Sequence, residues 1–338
     1  MPAHSTSRLR RIGATALVAG LLATALTACA SAAAAGGGSA DSTKVTIGAH
    51  SNGAAKEITL TVAKQDDIAK KLPAAVRKSG KLTIGVGALP AGYPPLAFTG
   101  DDAKTLTGSE PDLGRLVAAV LGLEPVVTNA TWDNLFVGID TGKTDAGFSN
   151  ITDTEQRKEK YDFASYRNDN LGFEVLKKST WEFDNDYKNL AGLTVAVGAG
   201  TNQEKLLLTW QSKLKAEGKT LTIKYYPDTN TTNLALASGK IDANFAPNPG
   251  IAYHEQQDAT SATPTRTAGI VSGAGETLQG LIAATVKKDS GLAEPIADAI
   301  NYLIDNGQYG KWLASYNLTN EAVDKSLVNP PGLPLDNQ

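Results

Sequence analysis

Two stretches of this chain alternate short β-rich runs with helical segments, and that alternation restricts the fold more than any other feature. The first opens at Leu82-Thr83-Ile84-Gly85-Val86. A helix is expected over 112–121, where Leu113, Leu116, Val117 and Val120 recur at helical spacing. Ser109 is placed to cap it, with Asp112 three residues on. Pro125-Val126-Val127-Thr128 reads as a second strand, 132–140 as a second helix, and Asp145-Ala146-Gly147-Phe148 as the start of a third strand. The second stretch opens at Leu193-Thr194-Val195-Ala196-Val197. It continues through a helix over 203–216, a strand over 221–226, a helix over 230–238 and a strand over 241–245. Such a pattern predicts two α/β domains with largely parallel sheets. No internal sequence repeat relates them.

Ahead of these stretches lies an export-type leader. Arg8, Arg10 and Arg11 precede an apolar run of 17 residues, 12–28, that ends in small residues. The run is short for a spanning helix and is not followed by basic stop-transfer residues. The single cysteine, Cys29, follows directly in Leu26-Thr27-Ala28-Cys29. This resembles the lipobox of bacterial lipoproteins. The resemblance implies removal of 1–28 as a signal peptide, lipidation of Cys29 as the new N-terminus, and residence on the outer face of the cell membrane. The alternative is a plain signal peptide cut at an Ala-x-Ala-like site, with Cys29 discarded. Arg10-Arg11 also occurs in twin-arginine signals, here without the rest of that signal.

Residues 29–42, with Gly36-Gly37-Gly38, read as a flexible tether. Residues 43–80 read as a lead-in packed on the first lobe. Ile58-Thr59-Leu60-Thr61-Val62 alternates like a strand there, and Ile68, Leu72 and Val76 share a helical face. Residues 326–338, with Pro330-Pro331-Gly332 and Pro334, read as an irregular tail.

The formal charge of −3 falls to about −6 without the leader, and no basic block remains, so nucleic acid is not an expected partner. No second apolar run is long enough to span a membrane. His4 lies in the leader, His50 and His254 are far apart, and there is one cysteine, so no metal and no cofactor are expected. The roughly 310 residues after the leader suit two domains, and a monomer is expected.

The order of motifs from Lys81 to about Leu318 is similar to that of the bacterial extracellular solute-binding proteins of family 3, which serve polar amino-acid ABC transporters. After the opening strand come Tyr93-Pro94-Pro95-Leu96-Ala97-Phe98 and Gly108-Ser109-Glu110-Pro111-Asp112-Leu113. Trp132-Asp133-Asn134-Leu135 and Gly142-Lys143-Thr144-Asp145-Ala146 follow, then Ile151-Thr152-Asp153-Thr154-Glu155-Gln156-Arg157 with Asp162-Phe163 five residues on. Farther along come Gly200-Thr201-Asn202-Gln203-Glu204, Gly239-Lys240-Ile241-Asp242-Ala243 and Asp305-Asn306-Gly307. The resemblance implies a two-lobed, periplasmic-binding-protein-like fold of type II, with two crossover strands as hinge. Lobe 1 is expected at 81–175 and 285–325, and lobe 2 at 176–284.

The same resemblance implies a cleft that captures an amino acid or a related small polar solute. Arg157 falls at the family's position for pairing with a carboxylate, which a guanidinium fork matches in two bonds. Asn150 and Thr152, with Ser149 as a weaker candidate, stand at a strand end, where ligands of open α/β sheets bind. Thr201, Asn202 and Gln203 open a helix whose free N–H groups suit an anion. Gly198 and Gly200 invite a dinucleotide reading. Gln203 stands where the third glycine of that fingerprint belongs, and no acid follows at the ribose distance. Tyr93 and Trp132 match aromatic positions beside the ligand side chain, whereas Phe98 is expected in the core.

One departure concerns the ligand's ammonium. The position after Asp242-Ala243 where relatives place an aspartate falls on Pro247 or Asn248, and neither is charged. An amide cannot neutralise an ammonium. Glu110, Asp169 or another acid must then substitute, or the ligand is not a simple α-amino acid. No acid lies near Pro90, where the family's binders of basic amino acids often have one, so the resemblance disfavours lysine or arginine. The implied partner is an ABC permease. Two further functions stay open: a dehydratase-like enzyme on the same fold, for which Glu110 is the candidate acid or base, and a sensor that reports to a membrane receptor.

Overall fold

Residues 41–335 are described by the computed structural model. The expected signal peptide, Cys29 and nearly all of the expected tether lie outside the described residues. The chain enters as a hairpin of β1 (Ser42–Ile47) and β2 (Ile58–Ala63), followed by the short helices α1 (Asp66–Ala69) and α2 (Ala74–Ser79). Alternation along the hairpin turns Val45, Ile47, Leu60 and Val62 inward. Leu72 and Val76 join them in the hydrophobic core of the first lobe. Val76 and Ile47 are thus as much part of lobe 1 as its sheet.

Lobe 1 is built on five strands in the order β6 (Glu124–Asn129), β3 (Lys81–Val86), β7 (Ala146–Gly147), β14 (Leu281–Lys287) and β8 (Tyr161–Asn168). β3 (Lys81–Val86) lies centrally and is parallel to both neighbours. A loop then carries the short pair β4 (Phe98–Thr99) and β5 (Leu106–Thr107). α3 (Ser109–Leu121) crosses back to β6 (Glu124–Asn129), and α4 (Trp132–Asp140) crosses to β7 (Ala146–Gly147). α3 begins one residue earlier than Ser109 capping requires. Gly108 is the N-cap, at φ 124°, and a side chain there would lie 2.2 Å from the Leu96 carbonyl oxygen. Only glycine takes that turn without strain. Asp112 is buried instead, accepting from the Gly48 amide at 2.7 Å and the Tyr316 hydroxyl at 2.5 Å.

β8 (Tyr161–Asn168) ends lobe 1's first passage, and β9 (Asn170–Leu176) already belongs to the second sheet. The lobes therefore exchange at Asp169, six residues before the boundary expected from sequence. Lobe 2 continues with β10 (Thr194–Val197), α5 (Asn202–Ala216), β11 (Thr222–Lys224), α6 (Thr229–Ala237), β12 (Ala243–Pro247), α7 (Asn248–Asp258) and β13 (Thr265–Ser272). Its strand order is β11-β10-β12-β9-β13. In each sheet four strands share one direction and a single strand, β14 in lobe 1 and β9 in lobe 2, runs against them. Lobe 2's core is aromatic: Phe173 stacks on Phe245 at 4.3 Å, with Trp210 and Phe183 against them.

The chain returns through 273–280 to β14 (Leu281–Lys287), then α8 (Ala293–Asp305) and α9 (Gln308–Ser315) complete lobe 1. Residues 326–335 lack helix and extended strand, yet they are held in place. Val328 bridges Ala164 of lobe 1, and Leu333 is fully buried in the lobe 2 core. The tail thus forms a third passage between the lobes.

Candidate functional site

The carboxyl ends of the central strands of both sheets face a common cleft, where an open α/β sheet binds its ligand. It encloses a cavity of about 600 Å³. Lobe 1 supplies the loop after β3 (Gly87–Tyr93), the start of α4 (Trp132, Asp133) and Ser149-Asn150 after β7. Lobe 2 supplies Gly198–Gln203 after β10, Tyr226–Thr229 after β11 and Ala246-Pro247 at the end of β12. Bonds cross the cleft at its rim. The Tyr93 hydroxyl donates to the Pro247 carbonyl at 3.2 Å, and the Trp132 indole N–H donates to the Gly200 carbonyl at 3.3 Å.

Ser149, Asn150, Tyr93, Trp132, Glu110, Thr201, Asn202 and Gln203 all line this cavity. Ser149 Oγ accepts the Gly87 amide at 2.8 Å, which leaves its own proton to donate. Asn150 takes a left-handed backbone, φ 51°; its amide donates to Glu110 Oε2 at 2.7 Å and its Oδ1 accepts from Arg167 at 2.5 Å. Thr201 is the N-cap of α5, accepting the Glu204 amide at 3.2 Å and donating to the Gly198 carbonyl at 2.7 Å. Its hydroxyl is therefore used locally.

Three expected residues stand elsewhere. Asn248, the first residue of α7, lines a separate cavity of about 80 Å³ beside Pro95 and Tyr253. Pro247, its neighbour, is the one that reaches the central cavity. Thr152 is buried, and its hydroxyl donates to Asp169 Oδ2 at 2.7 Å. Arg157 does not line the cavity either. Its guanidinium donates to the carbonyls of Thr152 at 2.9 Å and Gly200 at 3.4 Å, against the rings of Trp132 and Phe136. Burial lowers its pKa to about 10. The aromatic partner Phe136 gives no sequence signal beyond its helical spacing from Trp132.

Glu110 faces the cavity but its carboxylate is engaged on all sides. Oε1 accepts from Arg167 at 3.0 Å and from Ser109 Oγ at 3.2 Å; Oε2 accepts from the Asn150 amide and from the Tyr166 hydroxyl. Arg167 also bonds Glu321, so two carboxylates flank one buried guanidinium. Burial pushes the Glu321 carboxyl up to about 7 and holds the Tyr166 hydroxyl protonated well beyond its usual range. This network sets the loop of Asn150 rather than presenting a free acid.

Asp169, at the first crossover, is 1% exposed. Besides Thr152 it accepts from Asn202 Nδ2 at 3.1 Å. Burial raises its pKa, an effect opposed by Thr152, Arg167, Arg157 and Asn202. Sequence reasoning missed Tyr226, Asp228 and Thr232, which line the cavity from the loop and first turn after β11. Asp228 could have been found as a helix N-cap: it accepts the Thr231 amide at 2.8 Å. No group of residues suited to a metal ion exists among the described residues.

Comparison with known proteins gives the same fold. Over 266 residues the chain is 29% identical to the arginine-binding protein ArgT of Corynebacterium glutamicum, covering 78% of this chain and 83% of that protein. Over 168 residues it is 32% identical to the L-cystine-binding protein TcyJ of Escherichia coli, covering 50% and 59% respectively. A crystal structure of a mutant of ArgBP from T. maritima superposes with a TM-score of 0.60 at 24% identity, covering 72% of this chain and 97% of that one. The profile of the family described as bacterial extracellular solute-binding proteins, family 3, matches residues 84–319. With two sheets facing one cleft and a match across most of its length, the chain belongs to that family.

Proposed function

We propose that this protein captures an amino acid or an amino-acid-like polar solute between its lobes and delivers it to an ABC importer. The observation that carries this reading is the cavity of about 600 Å³ walled by both lobes, with polar groups of both converging on it. Such a volume suits a small molecule. The rim bonds of Tyr93 and Trp132 form only when the lobes meet. A ligand that touches both lobes stabilises that closed arrangement and shifts the population toward it. The closed form would then dock on the permease. Export and a lipid on Cys29 would keep the protein beside that permease, with the stretch before residue 43 as tether.

The enzyme reading has less support. The only acid expected to do chemistry, Glu110, is bonded to Arg167, Ser109, Tyr166 and the Asn150 backbone. A melting screen over amino acids and their relatives tests the proposal. A bound solute at a hundred times its Kd raises stability by about 2.7 kcal/mol, so a clear rise in Tm for at least one solute is the expected result. A screen that moves nothing would sink it. Recovery of unchanged solute after long incubation separates capture from turnover.

A further inference from the structure

The wall of the central cavity carries three carboxylates, Glu110, Asp133 and Asp228, and no lysine, arginine or histidine. Glu110 is already balanced by Arg167. Asp133 at the start of α4 and Asp228 at the start of α6 form no ion pair among the described residues. They approach the cavity from opposite lobes. An anion placed there would meet negative charge on both sides and no cationic side chain in the wall itself.

The groups that would hold a ligand carboxylate are present but taken. The Thr152 hydroxyl and the Asn202 amide both bond Asp169, a carboxylate of the chain itself. Arg157 lies on the far side of the same cluster, donating to the Thr152 and Gly200 carbonyls. Asp169 is built into its place. A side chain at Gly273 would come within 1.7 Å of its Oδ2, so glycine there leaves the carboxylate its room.

We infer that the cavity takes an organic cation, an amine or guanidine with N–H donors and no carboxylate, because Asp169 already fills the carboxylate clamp and Asp133 and Asp228 supply the counter-charge. This rests on the cavity being the solute site. The Tyr93 ring in the wall adds a further attraction for such a cation.

Isothermal titration of the protein with two matched pairs tests it: arginine against agmatine, and cystine against cystamine. The members of each pair differ by their carboxylates. The decarboxylated member is expected to bind tighter by about ten-fold or more, since desolvating a carboxylate without a partner is strongly unfavourable. Asp133→Asn and Asp228→Asn are each expected to weaken the amine by about two- to five-fold, the scale of a partly exposed charge pair. Asp169→Ala vacates the clamp and is expected to reverse the preference toward the amino acid; Asp169→Asn, which keeps the shape, is expected not to. Tighter binding of either amino acid by the unaltered protein overturns the assignment. Binding of neutral or anionic solutes with neither agmatine nor cystamine bound also overturns it, while leaving solute capture standing. Binding of no solute at all overturns both.

Discussion

Asn202 Nδ2 sits 3.1 Å from the Asp169 carboxylate and 2.9 Å from the Gly273 carbonyl, so one amide in the first turn of α5 is tied to both crossovers of the hinge. Replacing it leaves a buried carboxylate and a buried carbonyl short of a donor. Asn202→Ala is expected to lower stability by about 1–3 kcal/mol, the cost of an unsatisfied buried acceptor. Asn202→Asp would set a second carboxylate against Asp169 and is expected to lower it further. Urea midpoints of the three proteins check this. An unchanged midpoint for Asn202→Ala would show that the tie contributes nothing.

Asp153 gives the stability a pH dependence of known sign. Its carboxylate is fully buried, with no hydrogen bond to either oxygen and Lys158 Nζ 3.4 Å away. Burial pushes its pKa up to about 7. The folded chain thus keeps a proton that the unfolded chain gives up in the usual carboxylate range. This contribution is fully present below that range, declines as pH rises and is lost once pH passes about 7. Asp153→Asn does not titrate. The variant is therefore expected to gain on the parent from pH 4.5 to about 7, with a slope of up to about 1.4 kcal/mol per pH unit, and to keep a constant difference from there to pH 8. Calorimetry across that range decides it; a difference independent of pH would mean that Asp153 is already ionised when folded.

The periodic elements were legible because their apolar residues have nowhere else to go. β3 and β10 are buried runs between turns, and α4 lies where Trp132 to Asp140 predicts it, capped by Thr131. The type II, two-lobed plan followed from the order of motifs. The site was legible only in part. Ser149, Asn150 and Gln203 stand at strand and helix ends, positions that sequence locates, and all reach the cavity. Arg157 and Thr152 do not, because their partners depend on where Trp132, Phe136 and Asp169 arrive in space. The tail shows the same limit. Pro330-Pro331-Gly332 correctly signals irregular backbone, but composition says nothing of Leu333 finding the core of lobe 2.

That tail supplies the next prediction. Leu333 is fully buried, its amide donates to the Asp153 carbonyl at 3.2 Å, and Lys205 Nζ of α5 donates to the Pro334 carbonyl at 2.7 Å. Leu333→Ala is expected to cost about 2–5 kcal/mol, as for other buried leucines. Because the strap joins both lobes, ligand dissociation should also quicken. Stopped-flow release of bound solute, alongside chemical denaturation, checks both. Destabilisation with an unchanged release rate would make the tail a packing element without influence on closure.

Closure itself can be blocked at one position. In the structure a Cβ added to Gly250 of α7 would lie 2.2 Å from the Tyr93 ring and 2.4 Å from its hydroxyl oxygen. Gly250 belongs to lobe 2 and Tyr93 to lobe 1, so that clash exists only while the lobes are together. Within the helix itself alanine is favoured over glycine by up to about 1 kcal/mol. Gly250→Ala is therefore expected to leave the ligand-free Tm unchanged or slightly raised. Solute affinity should fall by about ten-fold or more, because binding can no longer complete the closed form. Small-angle scattering with solute present should show a larger radius of gyration than for the parent. Tyr93→Ala in the same chain removes the obstacle and should recover part of the affinity lost. Equal affinity in parent and Gly250→Ala would mean that the contact between Tyr93 and α7 plays no part in capture.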